Sequence, residues 1–173
     1  MRRLLFPLIL STAIVAGTTS TAMTFGGPGA LLAAPAIVKW PPWLSIESPV
    51  NPYDPATRGA AFLIHAAVRE GTPTLANLTG TAEGLVGGKR RTIDLRIDST
   101  SHSGVFAVRR QWPSEGTWLL RVTFLSTTAI VMLDRAGNVA GVRIPTELAS
   151  GTQVPRAVAG REIDSTLADA SKR

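Results

Sequence analysis

Between Ala60 and Arg69 the apolar positions alternate: Phe62, Ile64, Ala66 and Val68 share one face, His65 and Arg69 fall on the other, and Gly71-Thr72-Pro73 ends the run. A period of two is the mark of a half-buried strand. In Lys89–Asp98 (KRRTIDLRID) Ile93, Leu95 and Ile97 alternate with Thr92, Asp94, Arg96 and Asp98, which predicts one strand with a single wet face. In Gly104–Phe124, Phe106, Val108 and Trp112 point one way. Pro113–Gly116 then supplies a turn, and Trp118, Leu120, Val122 and Phe124 return with the same parity, so a hairpin is expected. Ala129–Leu133, the turn Asp134–Asn138 and Val139–Ile144 predict a second hairpin.

Shorter strands are expected at Leu44–Ile46 and over Asn77–Glu83, the first entered through the stiff Lys39–Trp43 segment (KWPPW) and left through the proline-rich Ser48–Pro55. After Pro145 the period and the aromatics fade, predicting a loosely attached tail over 146–173 with a short helix at Glu162–Ala170. Seven or eight short strands separated by glycine and proline turns point to an antiparallel β-sandwich over 37–145, with the immunoglobulin-like arrangement as the expected form.

Composition changes this picture mainly at the N-terminus. With 45% hydrophobic and 17% charged residues the chain can build a core, and a sandwich of roughly 100 residues buries enough surface to stand without staples, in keeping with the absence of cysteine. Arg2 and Arg3, the apolar Leu4–Gly17 and the small residues Ser20-Thr21-Ala22 read as a secretory signal, with a second candidate cleavage region at Leu31–Ala36. An uncleaved signal anchor is the rival, disfavoured because the apolar run is shorter than the roughly 20 residues of a membrane span. The expected leader is therefore 1–36 and the expected location periplasmic or extracellular. The net charge of +6 comes from 18 basic and 12 acidic residues; without Arg2 and Arg3 it is 16 against 12, a mildly basic balance. Charge of that size is weak evidence for a polyanionic partner.

Gly104-x-Phe106, followed by Trp112-Pro113-x-x-Gly116-x-Trp118-x-Leu120-x-Val122, resembles the penultimate hairpin of small extracytoplasmic immunoglobulin-like domains of the YtkA-like and FixH-like kind. Gly71-Thr72-Pro73 after a β-run is similar to their Gly-x-Pro turn. The resemblance spans roughly residues 43 to 126 and implies a fold far more than an activity. Relatives of that kind include envelope copper carriers, so a metal carrier is the alternative function. Their sites use several histidines and methionines, however, whereas here His65 and His102 lie on separate segments and no His-x-His or methionine-rich run occurs. No metal or other cofactor is expected.

Nor is a catalytic group. Ser101-His102-Ser103 lacks a visible carboxylate partner and oxyanion hole, and Asp94 and Asp98 flank Arg96, which favours charge pairing over acid–base work. Binding is therefore the expected role, with two candidate sets. Lys89, Arg90 and Arg91, with Arg109 and Arg110 nearby in character, suit an anionic envelope polymer or lipid surface, although charged edge strands also arise simply to block sheet extension. Trp40, Trp43 and Tyr53 suit an envelope protein partner, and Trp112 also falls where it would either plug or decorate a sandwich end. No nucleic-acid motif is present, and peripheral membrane contact remains open.

Overall fold

The structure, a computed structural model, describes residues 41–172; the leader, its cleavage regions and Trp40 lie outside the described residues. Nine strands form two antiparallel sheets: β1 (Trp43–Glu47), β2 (Phe62–Ala67), β3 (Leu78–Val86), β4 (Lys89–Asp94), β5 (Ile97–Ser99), β6 (Val105–Val108), β7 (Thr117–Phe124), β8 (Thr127–Leu133) and β9 (Val139–Arg143). One sheet has the order β1-β2-β6-β5, the other β4-β3-β7-β8-β9. Alternation places Leu44, Phe62, Ile64, Phe106 and Val108 from the first sheet and Ala82, Trp118, Leu120, Val122, Phe124 and Val131 from the second in one core. Burying such aliphatic and aromatic side chains stabilises by roughly 1.5–3 kcal/mol each before chain entropy is charged against it.

Two expected pairings are corrected. The segments flanking Pro113–Gly116 are not a hairpin: β6 hydrogen-bonds β2 and β5, whereas β7 lies between β3 and β8 in the opposite sheet. Strands that face each other across a core show the same inward parity as paired neighbours, so alternation alone could not separate the two. Arg109–Gly116 makes the crossing, and Trp112 turns inward on the way, its ring centroid 6.4 Å from that of Phe62. The run Lys89–Asp98 likewise divides. β4 is the edge of the five-stranded sheet and β5 the edge of the four-stranded one, joined at Leu95, whose amide N–H donates to the Gly80 carbonyl at 2.9 Å. Ile93, Leu95 and Ile97 face the core on both sides of this corner, which preserves the alternation.

The remaining boundaries follow the sequence more closely. The Asp134–Asn138 turn joins β8 to β9, with Gly137 at φ 81. The segment after Pro145, expected to be loose, carries a third, two-stranded sheet, β10 (Thr146–Ala149) with β11 (Thr152–Pro155), whose turn residues Ser150 and Gly151 have φ 49 and 81. Two successive left-handed residues match the twist of a tight hairpin. A helix, α1 (Gly160–Ala170), then lies over β3 and β7 on the outer face of the five-stranded sheet. Ile163 and Leu167, one helical turn apart, are both buried, as is the outward-facing Leu119 of β7.

Candidate functional site

The register gathers three connections at one end of the sandwich. Gly87 and Gly88 turn β3 into β4, and a Cβ on Gly116 would meet the Leu85 carbonyl oxygen at 2.6 Å, so the Arg109–Gly116 crossing adjoins that turn. The crossing also meets the β8–β9 turn: Arg110 Nη1 donates to the Ala136 carbonyl at 2.8 Å and Trp112 Nε1 to that of Gly137 at 3.1 Å. Gln111 holds Arg96 from both sides, accepting from its N–H and donating to its carbonyl, each at 2.8 Å. Arg109 Nη1 reaches the Arg58 carbonyl at 3.2 Å. The crossing thus carries Arg109 and Arg110 beside Arg58 and the Asp134–Asn138 turn, and Lys89 opens β4 opposite Val86 at the same end, whereas Arg91 lies further along that edge opposite Gly84 and Arg96 follows the Leu95 corner that bonds Gly80.

Beneath this rim two indoles are buried. Trp118 Nε1 donates to the Glu115 carbonyl at 2.7 Å, and its ring lies over Gly84, where a Cβ would meet it at 2.4 Å. Only glycine admits that approach. Asp98 is shared by Arg96 Nε at 3.0 Å and Arg109 Nε at 3.7 Å, so the expected charge pairing around Asp98 is present, while Asp94 stands in the other sheet and not on a common face with it. The Asn138 amide, 2.8 Å from Asp134 Oδ1, is the main reason that the Asp134 carboxyl is held below its ordinary pKa.

The basic triplet is not one patch. Lys89 and Arg91 are exposed on the edge strand, but Arg90 points to the opposite face and is engaged twice, by Glu83 Oε2 at 3.0 Å and by Asp164 of α1. Glu83, which carries no local sequence signal, is buried and also accepts from Thr92 at 2.9 Å and Thr81 at 3.2 Å, with Arg121 Nη2 3.5 Å away. Burial pushes its carboxyl up; hydrogen bonds from Arg90, Thr92 and Thr81 and the charge of Arg90 outweigh that, leaving it below the ordinary glutamate value. Apart from Thr81, two residues away on β3, its partners come from β4 and β7, so only the register could reveal the cluster.

The aromatic candidates also separate. Trp43 is 55% exposed beside an open groove of about 340 Å³ lined by Pro41, Ala67, Val68 and Arg69 at the opposite end of the sandwich. Tyr53 stands apart on the β1–β2 connection, 88% exposed. Both histidines are paired with carboxylates, His65 with Glu47 at 2.7 Å and His102 with Asp54 at 3.5 Å. Among the described residues no group of three or more His, Cys, Asp or Glu side chains is placed to hold a metal ion. Comparison with protein-family models, with curated proteins and with solved structures finds no match to this chain.

Proposed function

We propose that this chain is a non-catalytic immunoglobulin-like binding module, exported to the periplasmic or extracellular side of a bacterial envelope, that holds an anionic envelope polymer at its arginine-rich end. The observation that carries the proposal is the meeting of the Arg109–Gly116 crossing with the β8–β9 and β3–β4 turns, which holds Arg109 and Arg110 by hydrogen bonds at the end where β4 begins with the exposed Lys89 and Arg91. A rigid rim of guanidinium groups matches phosphate or carboxylate oxygens with little ordering cost. The strand orders β1-β2-β6-β5 and β4-β3-β7-β8 follow the A-B-E-D and C′-C-F-G sequence of immunoglobulin-like sandwiches, in which loops at one end serve recognition. The leader-like N-terminus supports export, and the motifs from Gly104 to Val122 support kinship with YtkA-like and FixH-like domains.

The test is capture on immobilised polyphosphate across a salt series. Replacing Lys89, Arg91, Arg109 and Arg110 with serine should weaken capture on the order of tenfold and flatten its salt dependence. Arg90 is left in place because its loss would disturb Glu83 and α1. Full capture by the quadruple variant would sink the proposal.

A further inference from the structure

The end opposite the arginines carries the reverse chemistry. Among the exposed large apolar side chains are Trp43 at 55%, Leu75 at 39% and Leu125 at 48%. They come from the start of β1, the 3-10 turn Leu75–Asn77 and the β7–β8 turn, which hydrogen bonds tie to one place: Leu125 N–H donates to the Asn77 carbonyl at 3.1 Å, and Thr127 Oγ1 donates to the Pro42 carbonyl at 2.7 Å beside Trp43. Leu125 opens the two-residue turn between β7 and β8 with φ 52, a left-handed conformation that a bulky side chain rarely adopts. The leucine costs the fold and, being half exposed, returns little packing. Strain of that kind in a displayed side chain points to a contact outside the molecule.

We infer that this end seats on an anionic phospholipid surface, with Trp43, Leu75 and Leu125 entering the headgroup boundary and Arg69 meeting lipid phosphates. Two features favour lipid over a protein partner. The exposed apolar side chains are three tips on separate segments, which suits shallow insertion into a headgroup boundary better than the continuous core of a stable protein interface. Trp43 beside Arg69 is the aromatic and cationic pairing that membrane interfaces favour, with Glu70 the one acidic neighbour in sequence. The arginine rim would then face away from the bilayer, free to hold a polymer. Lipid seating does not depend on polymer binding, so either can fail alone.

The absence of cysteine allows a direct test on the full chain. A Leu125→Cys variant and a control Ser114→Cys variant, the latter on the arginine end, are labelled with an environment-sensitive fluorophore and mixed with vesicles of phosphatidylglycerol and phosphatidylethanolamine containing spin-labelled quencher lipid. The label on Leu125→Cys should shift to the blue and lose most of its emission, while that on Ser114→Cys stays in water. Adding Trp43→Ser to Leu125→Cys should cut the quenching several-fold, and replacing phosphatidylglycerol with phosphatidylcholine should weaken it. Equal quenching at both positions, quenching of the Ser114→Cys label alone, or none at position 125 while the chain sediments with vesicles would overturn the inference. The last outcome would show attachment through the leader only.

Discussion

The two ends of the sandwich use tryptophan in opposite ways. Trp112 and Trp118 are each 3% exposed beneath the arginine rim, with each indole N–H donating to a carbonyl of the connections above. Trp43 at the other end is 55% exposed beside an open groove. The charged end is therefore the braced one. Its arginines stand on backbone fixed from below by indoles and from the side by Gln111 and Asp134, whereas the apolar end displays its side chains on tips that the core does not need. Rigid loops suit recognition of spaced anionic groups, because less side-chain and backbone freedom is lost on binding.

The largest expected effects test that bracing. Trp118→Ala and Trp112→Ala should each cost on the order of 3–5 kcal/mol in denaturant unfolding, since each leaves a cavity and removes a hydrogen bond from a turn. Gly84→Ala should cost roughly 1–3 kcal/mol because the added methyl meets the Trp118 ring. Trp43→Ala should stay within about 0.5 kcal/mol. A cost for Trp43→Ala comparable to that for Trp112→Ala would erase the contrast between the ends.

The next effect separates charges within the basic end. Lys89 and Arg91 replaced by serine should leave stability nearly unchanged, as exposed charges contribute about 0–1 kcal/mol. Arg90→Ser should cost roughly 1–3 kcal/mol, because Glu83 is left buried with an acceptor unmet and Asp164 of α1 loses its partner. The acid limb supplies a check. The folded-state pKa of Glu83 is lowered, so its ionised network adds stability above the unfolded glutamate pKa and loses it as pH falls through the folded value. Unfolding midpoints of the parent and Glu83→Gln should accordingly differ most near neutrality and converge in acid. A difference that grew on acidification would reverse the assigned sign.

Much of the fold was legible because period-two alternation survives burial on one face: β2, β7, β8 and the Asp134–Asn138 turn lie close to where the sequence puts them. Pairing was not legible, since Val108 and Leu120 have core parity whether their strands are neighbours or face each other. The helix was expected over Glu162–Ala170 and spans Gly160–Ala170. Its attachment escaped notice because Ile163 and Leu167 alone make its stripe and their cover, Leu119, sits on the face of β7 that alternation assigns to solvent. For the candidate sites, residue type pointed to Lys89, Arg91 and Trp43, but nothing local distinguishes Arg90 from its neighbours. Phe124-Leu125-Ser126-Thr127 contains no glycine, asparagine or proline to announce the turn.

That turn gives the smallest effect and the sharpest view of the apolar end. Leu125→Asn keeps the backbone amide that donates to Asn77 and places at φ 52 a residue that tolerates the left-handed region far better than leucine. Because the leucine is half exposed, little packing is lost in exchange. The variant should therefore be more stable by up to about 1 kcal/mol, read as a raised denaturant midpoint with an unchanged slope. A stabilised fold with weakened vesicle binding would mean that Leu125 serves a contact beyond the fold. If the variant is instead destabilised, leucine is holding the β7–β8 turn against its neighbours, and the apolar end is braced in its own way after all.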